Sequence, residues 1–326
     1  MDIKRIAVVT SGGDAPGMNA AIRATVEQGI HHGIDVYGVY NGFKGLVEGD
    51  FRLLTTSDVH HNIRRGGTFL YSARFPEFSK EEYQRRAVEQ LNNHNIDALI
   101  VIGGDGSFQG ALALTKLGFP AIGIPATIDN DIPGTEYTIG FDSAVSVALD
   151  AIDKISDTAA SHNRTFVVEV MGRHAGDIAI WAGVAAGADA ILIPEESFRM
   201  QSIVRRIAAG RNRGKDYSLI VLAEGVSDVN SFVEEYKQYS PDESIRGVTL
   251  SHIQRGGTPS ARDRVFATLM GARAVDLIVQ GQSAIYLGIK QERLAVFDIV
   301  KTLKKTEHAV RQDLFQLNIN LTDRGI

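Results

Sequence analysis

Residues 98–107 decide the fold; they read Ala-Leu-Ile-Val-Ile-Gly-Gly-Asp-Gly-Ser. An apolar run typical of a buried strand is followed by glycines and then by a helical pattern. The pattern predicts that the helix begins near Ser107. Glycines let backbone N–H groups approach a phosphate, and a helix N-terminus adds a favourable dipole. Asp105 would repel that phosphate unless a cation lay between them, which predicts magnesium. The alternative is that Asp105 or Ser107 only caps the helix.

The same alternation of strand and helix patterns extends along the chain. Short β-branched runs predict buried strands at Arg5–Thr10, Ala98–Ile102, Ala121–Ile124, Thr165–Val170, Ala190–Ile193 and Leu219–Ala223. A helix is predicted over 142–156, with an apolar stripe formed by Val145, Leu149, Ile152 and Ile155. This order predicts an α/β fold with mostly parallel sheets, in which the glycine-rich strand ends are the ligand-binding edge.

Length and composition limit the classes of protein to which the chain can belong. With about 150 residues per domain, 326 residues predict two domains. Apolar residues at 44% and charged residues at 22% are typical of a folded globular protein. A net charge of −5 argues against nucleic acid or an anionic membrane as a partner. An anionic ligand therefore needs a local cluster of basic residues.

The sequence carries no signal for export or for membrane insertion. The apolar run that follows Lys4 and Arg5 is too short for a signal peptide. The apolar stretch 178–188 falls well short of the roughly 18 residues that span a bilayer. Because the chain has no cysteine, it can form no disulfide and no thiolate site. These features predict a cytoplasmic protein.

A second glycine loop follows the first predicted strand and reads Thr10-Ser-Gly-Gly-Asp-Ala-Pro-Gly-Met-Asn19. It opens another helix and offers a second contact to a phosphate. Its spacing is neither that of a Walker A loop nor that of a dinucleotide-binding Gly-x-Gly-x-x-Gly motif. Taken alone, the loop could equally be a tight structural turn.

A third loop, Pro125-Ala-Thr-Ile-Asp-Asn-Asp-Ile-Pro133, follows another short predicted strand. It places Asp129 and Asp131 close together between two stiffening prolines. Neighbouring carboxylates repel and raise the pKa of one of them, giving a base able to take a proton from an attacking hydroxyl. A pair of turn-forming aspartates is the alternative.

Basic residues also cluster in the loops and could bind phosphate groups. Guanidinium groups bind phosphate through paired hydrogen bonds, and several together could outweigh the negative net charge. The candidates are Arg74, Arg164, Arg173, Arg246 and Arg255, with His174 and His252 nearby in sequence. Each of them alone could be an ordinary surface or structural residue.

Five motifs, in this order, closely resemble those of bacterial ATP-dependent 6-phosphofructokinases: Thr10–Asn19, Ile102–Ser107, Pro125–Asp131, Val170–Gly176 and His252–Gly257. The resemblance covers nearly the whole chain. It implies transfer of the γ-phosphoryl group of ATP to the 1-hydroxyl of fructose 6-phosphate. It also implies a homotetramer whose subunit has two Rossmann-like three-layer domains. ATP would bind residues 1–140 plus 255–303, and the sugar phosphate residues 141–254 plus 304–326.

The resemblance also implies roles for individual residues. ATP would be held by Gly13, Arg74, Phe75, Gly104, Asp105, Gly106 and Ser107, with Mg²⁺ at Asp105. The catalytic set would be Asp129 as the base with Thr127, Arg173, Arg74 and Gly13. Fructose 6-phosphate would contact Thr127, Asp129, Met171, Gly172, Arg173, Glu224, His252 and Arg255. Arg164 and Arg246 would reach in from a neighbouring subunit.

Two positions bear on the phosphoryl donor. Pyrophosphate-dependent members of the wider family tend to carry Asp and Lys where this chain has Gly106 and Ala126. Glycine leaves room for the α-phosphate of a nucleotide, so ATP is favoured over pyrophosphate. An NAD-kinase-like enzyme would not need the Asp129 loop, and a non-catalytic sugar-phosphate sensor would lose Asp129 and Asp105.

A regulatory site is also implied by the resemblance, with a departure from the family. The corresponding positions that fit are Arg23, Asp189, Arg213 and Lys215. Regulated bacterial members usually carry arginine where this chain has Glu27 and Ser156. The loss of two cations and the gain of one anion predict weak binding of phosphate-bearing effectors such as ADP or phosphoenolpyruvate.

Overall fold

The computed structural model describes residues 3–304 and 309–322. Its strands are β1 (Arg5–Ser11), β2 (Asp35–Val39), β3 (Phe51–Leu53), β4 (Ala98–Gly103), β5 (Ala121–Pro125), β6 (Thr165–Val170), β7 (Ala190–Leu192), β8 (Ser218–Ala223), β9 (Ile245–Thr249), β10 (Ile285–Lys290) and β11 (Arg293–Asp298). Its helices are α1 (Met18–His31), α2 (Gly42–Glu48), α3 (Thr56–Val59), α4 (Glu81–Asn93), α5 (Asp105–Lys116), α6 (Phe141–His162), α7 (Asp177–Ala185), α8 (Met200–Asn212), α9 (Val229–Tyr239), α10 (Ala261–Val279), α11 (Ile299–Leu303) and α12 (Gln312–Thr322).

The chain divides into two compact units. Unit 1 comprises Met1–Ser143 and Arg255–Glu307, and unit 2 comprises Ala144–Gln254 and His308–Ile326. Each unit is built around its own sheet, and most strand pairs are parallel, so the predicted α/β class is confirmed. All six predicted strands are present, each within one residue of its predicted ends. In the described part of the chain, no helix is both long and apolar enough to cross a membrane.

Unit 1 contains a sheet with the strand order β11-β10-β5-β4-β1-β2-β3. The strands from β10 to β2 run parallel, and antiparallel β11 and β3 lie at the two edges. The central strand β4 is buried at every position, which explains its unbroken apolar sequence. On one face of the sheet its residues Leu99 and Val101 belong to a core with Phe108 and Leu114 of α5 and Tyr286 of β10.

Unit 2 contains a sheet with the strand order β7-β8-β6-β9, and all of its pairs are parallel. Its core joins Val167 of β6 and Ile220 of β8 to Phe232 and Tyr236 of α9. Helices α8 and α9 contribute the amphipathic faces that cover these strands.

Helix α6 extends further than predicted, and its most buried face is displaced from the predicted stripe. The fully buried positions are Ala144, Ala148, Ile152 and Ala159. Of the predicted stripe, Val145, Leu149 and Ile155 are only half-buried.

Helices α1 and α10 of unit 1 pack together at a glycine. A Cβ atom at Gly271 would overlap the carbonyl group of Ala21 and lie 2.8 Å from the Cβ of Ala24. Thr25 of α1 donates a hydrogen bond of 3.5 Å to the carbonyl of Gly271. The backbone of α1 therefore lies where a side chain on Gly271 would be.

We expect Gly271→Ala to lower the free energy of unfolding by about 1–3 kcal/mol, the usual cost of overpacking. This loss should appear although alanine favours a helix over glycine by about 1 kcal/mol. Gly210→Ala in α8 is the matched control, because the nearest neighbour of its Cβ would be the flexible Lys215 stem at 3.3 Å, with Asp189 Oδ1 at an ordinary contact distance of 4.0 Å. Urea denaturation monitored by circular dichroism measures the free energy of unfolding of both variants. Equal losses in the two variants would contradict the close approach of α1 to Gly271.

Candidate functional site

The three loops singled out from the sequence start at one level on the sheet of unit 1. In the strand register Ser11 pairs with Gly103, and Gly103 pairs with Pro125. Strands β1, β4 and β5 are parallel neighbours, so all three loops leave from the same edge. The structure therefore brings the three predicted loops together at the carboxyl end of the strands, where ligands bind in folds of this class.

Short hydrogen bonds join these loops directly. Ser107 Oγ donates to the carbonyl of Ser11 over 3.0 Å, and the N–H of Ala126 donates to the carbonyl of Gly103 over 3.0 Å. A Cβ on Gly103 would overlap both Ser107 Oγ and the Ser11 carbonyl. Glycine is therefore required at position 103 by the close approach of its neighbours.

The N-terminus of α5 differs from the simple capped helix that was the alternative. The helix begins at Asp105, two residues earlier than predicted, and its cap is Gly104, which makes no side-chain capping hydrogen bond. Ser107 directs its hydroxyl to the Ser11 carbonyl instead. Asp105 and Gly106 are exposed, and the space beside Gly106 is open. The start of α5 therefore faces solvent at Asp105 and Gly106, where the helix dipole favours an anion, whereas the N–H of Ser107 donates to the Gly104 carbonyl.

The loop after β1 is held from two other segments of unit 1. Arg255 Nη1 donates to the carbonyl of Asp14 over 3.1 Å, and its guanidinium group lies beside Gly13. Ser72 Oγ donates to the carbonyl of Gly12 over 2.5 Å. Arg255, predicted to contact the sugar phosphate, is thus placed with the glycine loop predicted to bind ATP.

The segment after Ser72 carries two predicted ATP contacts in different environments. Arg74 is exposed. Phe75 is half-buried and packs edge-to-face on Tyr83, with ring centroids 5.3 Å apart. Its side chain also lies against the apolar core of unit 1. The structure therefore gives Phe75 a packing role whatever it contributes to nucleotide binding.

The loop after β5 places Thr127 and Asp129 in buried positions. The N–H of Asp129 donates to Thr127 Oγ1 over 3.2 Å. Thr138 closes the loop, because its hydroxyl donates to the carbonyl of Thr127 over 2.7 Å and its N–H donates to Asn130 Oδ1 over 2.9 Å. Asn130 adopts the left-handed conformation with a φ of 55°. The loop is thus a closed, hydrogen-bonded turn in which Asp129 has a defined position.

Two ionisable side chains that flank this loop have shifted pKa values. Burial raises the pKa of the Asp263 carboxyl, although hydrogen bonds from Ser143 and Gly140 lower it. Burial, and next the neighbouring Asp263, raise the pKa of the Tyr137 phenol. Tyr137 therefore stays protonated near neutral pH and donates a hydrogen bond of 2.7 Å to Asp263 Oδ1.

In unit 2, Glu224 organises the loop that follows β6. Its Oε1 atom accepts hydrogen bonds from the N–H of Gly172 over 3.1 Å and from the N–H of Arg173 over 2.7 Å. Both residues have positive φ values, 148° and 59°. Arg173 is exposed at this edge. Glu224 thus shapes the backbone that presents Arg173, as well as lying among the predicted sugar-phosphate contacts.

Gln254 is a residue of this loop cluster that the sequence did not indicate. It is fully buried, and its Oε1 accepts a hydrogen bond of 2.9 Å from the N–H of Met171. His252 lies in the same short 3-10 helix, Ser251–Arg255, with an exposed ring 3.0 Å from Ser251 Oγ. The predicted residues Met171, Gly172, Arg173 and Glu224 are therefore joined at one edge of unit 2, with His252 on the adjacent segment.

Arg164 and Arg246 lie elsewhere in unit 2. Arg164 immediately precedes β6, and Arg246 pairs with Phe166 near the start of that strand. Met171 follows the other end of β6. Within one chain these two arginines are thus at the amino end of the sheet and do not join Arg173. That they serve a neighbouring subunit stays a prediction.

The predicted effector residues of unit 2 gather around the C-terminus of α8. Arg213 is the C-cap of that helix. Lys215 Nζ forms an ion pair with Asp189, whose other carboxylate oxygen accepts a hydrogen bond of 3.0 Å from the N–H of Leu219. The positive charge of Lys215 is therefore already offset within the chain.

The remaining effector positions are separate from that cluster in sequence. Arg23 and Glu27 lie on α1 of unit 1, where Glu27 accepts a hydrogen bond of 3.3 Å from Thr56 Oγ1. Ser156 lies on α6 in unit 2.

Across the residues that the structure describes, no three Asp, Glu or His side chains are grouped to hold a metal ion.

Comparisons with known proteins agree along most of the chain. Residues 5–278 match the sequence profile of a family described as Phosphofructokinase. The chain is 55% identical over 316 residues to an ATP-dependent 6-phosphofructokinase of Enterococcus faecalis, covering 97% of this chain and 98% of that protein. It is 56% identical over 315 residues to one from Listeria monocytogenes, with the same coverage.

A solved structure supports the same relationship. Phosphofructokinase from Saccharomyces cerevisiae superposes with a TM-score of 0.85 at 36% sequence identity. The match covers 98% of this chain and 48% of the yeast chain, so this chain spans about half of the yeast chain's length. The profile match, the near full-length identity and the shared fold lead to one conclusion: the chain belongs to the phosphofructokinase family.

Proposed function

We propose that this chain transfers the γ-phosphoryl group of ATP to the 1-hydroxyl of fructose 6-phosphate, giving fructose 1,6-bisphosphate and ADP in cytoplasmic glycolysis. The observation that carries the proposal is the 55% identity, over 97% of the chain, to a relative named ATP-dependent 6-phosphofructokinase. The proposal assigns ATP to the loops of unit 1 and the sugar phosphate to those of unit 2.

Asp129 is the proposed general base. It accepts the proton of the 1-hydroxyl as the hydroxyl oxygen bonds to the γ-phosphorus and the bond to the departing ADP oxygen breaks. Support comes from its burial and from the closed turn that fixes it between Thr127 and Thr138. A base held in one position contributes to rate by orientation as well as by proton transfer.

Positive charge has to balance the transferring phosphoryl group. Phosphoryl transfer depends mainly on positioning and on electrostatic stabilisation of oxygens that carry distributed charge. Arg74 and Arg173 are the proposed partners, and both are exposed, Arg173 in the loop after β6 and Arg74 just before the 3-10 helix Pro76–Ser79. Gly13 and the first turn of α5 add backbone N–H groups for the nucleotide phosphates.

The residues present fit a magnesium ion that is bound largely through ATP. Asp105 offers an exposed carboxylate beside the open space at Gly106. Mg²⁺ uses one or two protein carboxylates and completes its shell with phosphate oxygens and water. Asp105 would therefore hold it, and the bound ion would neutralise charge on the nucleotide phosphates.

The open space at Gly106 also supports ATP over pyrophosphate. Apart from its chain neighbours and the backbone of its own helix, no heavy atom of the described residues lies within 4 Å of the position that a Cβ atom of Gly106 would take. An aspartate there would project a negative charge into the space beside the α5 N-terminus, where the α-phosphate of a nucleotide is proposed to lie. Pyrophosphate has no α-phosphate, so a pyrophosphate-dependent enzyme would not need this space to be open.

A coupled assay of ADP release with fructose 6-phosphate tests the proposal, with pyrophosphate as the competing donor. In the same assay we expect Asp129→Ser to lower kcat by about 10²- to 10⁴-fold, because the general base is lost. KM values should change little, because Asp129 acts in the transition state.

Three outcomes would contradict these assignments. Turnover with pyrophosphate but not ATP would reverse the donor, and no turnover with either would remove the proposed activity. A serine variant that keeps a tenth of the normal kcat would remove Asp129 from its role. Asp131→Ser is the matched control in the same loop, since Asp131 is not assigned to proton transfer.

We further propose that Arg164 and Arg246 complete the sugar-phosphate site of a neighbouring subunit. Arg246→Ala should raise KM for fructose 6-phosphate and spare KM for ATP, with a loss of about 1.5–3 kcal/mol for a charge-assisted hydrogen bond. Mixing this variant with Arg173→Ala should restore part of the activity, because some hybrid sites would be intact. Hybrids with verified subunit exchange and no recovery would contradict a shared site.

Weak regulation is the last element of the proposal. Glu27 replaces a cation, and Lys215 is already paired with Asp189, so the proposed effector site has little positive charge for a phosphate. Saturation curves for fructose 6-phosphate with and without phosphoenolpyruvate should nearly superimpose. Glu27→Arg with Ser156→Arg should restore sensitivity. A large rightward shift of the wild-type curve would contradict the prediction.

A further inference from the structure

Asp263 is a fully buried carboxyl group on the first turn of α10, and it has no role in the site described so far. Its Oδ1 accepts hydrogen bonds from the hydroxyl of Tyr137 over 2.7 Å and from the N–H of Gly140 over 2.6 Å. Its Oδ2 accepts from the N–H of Ser143 over 2.9 Å and from the Ser143 hydroxyl over 2.5 Å. The carboxyl thus gathers donors from the end of the loop after β5 and the start of α6.

That segment also holds the turn that contains Asp129. Thr138 lies between Tyr137 and Gly140, and its hydroxyl and N–H close the turn onto Thr127 and Asn130. Ile139 bridges to Ala126, and its N–H donates to the carbonyl of Pro125 over 3.0 Å. The strip 137–140 therefore forms one side of the turn, and the residues 126–130 are hydrogen-bonded to it.

We infer that Asp263 is a positioning residue for Asp129, acting through the strip 137–140. This inference rests on the proposed role of Asp129 as the general base. Asp263 fixes the strip on both sides of Thr138, and Thr138 fixes the turn. A shift of the strip would move Asp129 relative to the reacting hydroxyl, although Asp263 itself touches no substrate.

The chemistry of the contacts requires a carboxyl at this place. Each of the two oxygens accepts one backbone N–H, that of Gly140 on Oδ1 and that of Ser143 on Oδ2. In Asp263→Asn the amide NH₂ would replace one oxygen and face one of these N–H groups, whichever way the amide is turned. A buried donor facing a donor is costly, so the strip has to move.

A simpler interpretation is that Asp263 only stabilises the start of α10. Ser260 is the N-cap of that helix, and its side chain accepts a hydrogen bond of 3.2 Å from the N–H of Asp263. The Ser260 hydroxyl also donates a hydrogen bond of 3.5 Å to Asp263 Oδ2, so the carboxyl contributes to the cap, but its four shorter hydrogen bonds come from Tyr137, Gly140 and Ser143. The two interpretations differ in what they predict for activity at equal stability.

The decisive comparison is between Asp263→Asn and Met270→Ala in the intact enzyme. Met270 is fully buried on the same helix, two turns beyond Asp263, so its truncation lowers stability and leaves the hydrogen bonds of Asp263 to the strip in place. At a temperature where both variants are folded, Asp263→Asn should lower kcat by about 10²-fold, as expected for a misplaced catalytic group. KM for ATP should stay within about twofold. Met270→Ala should keep kcat near normal at a comparable loss of Tm.

Graded variants keep the inference testable if Asp263→Asn does not fold. Tyr137→Phe removes one donor to Oδ1 and keeps the ring contacts with Phe266 at 5.0 Å and with the Arg262 guanidinium at 4.8 Å. Ser143→Ala removes one donor to Oδ2. Each should lower kcat by less than Asp263→Asn, and the pair should lower it further. If kcat follows Tm along one line for all variants, including Met270→Ala, the inference is wrong.

Hydrogen exchange separates this inference from the proposed function. In Asp263→Asn the amides of Thr138, Gly140 and Asp129 should exchange faster than in Met270→Ala at equal stability. Exchange unchanged there would overturn the inference even if activity fell. If Asp129→Ser keeps normal turnover, the general-base assignment fails. Faster exchange in Asp263→Asn would then still show that Asp263 holds the turn.

Discussion

The parallel register of β1, β4 and β5 is the constraint on which the candidate site depends. It sets Ser11, Gly103 and Pro125 at one level, so the three loops that follow leave the sheet side by side. A slip of one residue in any strand would turn its side chains to the opposite face and shift its loop. Hydrogen bonds between the loops hold this register, from Ser107 Oγ to the Ser11 carbonyl and from the N–H of Ala126 to the Gly103 carbonyl. The register of the sheet thus fixes the positions of polar groups at its edge.

Buried polar side chains then fix the loops that the sheet has brought together. Gln254 accepts the N–H of Met171 in unit 2, and Asp263 accepts the N–H groups of Gly140 and Ser143 in unit 1. An unsatisfied buried N–H is costly, so each such contact strongly favours one loop conformation. Gln254 lies in the 3-10 helix Ser251–Arg255, and Asp263 lies in the first turn of α10, so the two acceptors are close in sequence. Each supports a loop of its own unit and is assigned no contact with a substrate.

How much the sequence predicted depended on whether a signal was local. The six predicted strands are apolar because they are largely buried. Strand β2 contains Asp35 and Gly38, and β9 exposes Arg246 and Gly247, so neither strand shows a continuous apolar run in the sequence. The three loops were predictable because glycines and aspartates follow a strand directly. The contacts of Gln254 and Asp263 were not, because they join residues 83 and 123 positions apart. From sequence alone, Ser260-Ala-Arg-Asp263 is an ordinary helix cap.

The direction of the strands in unit 2 separates its positive charges into two sets. Arg173 follows the carboxyl end of β6, and Arg164 precedes the amino end of the same strand. Six residues of strand span about 20 Å, while a charge-assisted hydrogen bond spans only about 2.7–2.9 Å. One small phosphate ester cannot reach both ends of β6 in a single chain. If Arg164 and Arg173 act on the same kind of ligand, they do so in different copies of the chain. The resemblance to the family is the reason for proposing that the amino-end arginines serve a shared site, and the strand geometry of one chain is compatible with that proposal.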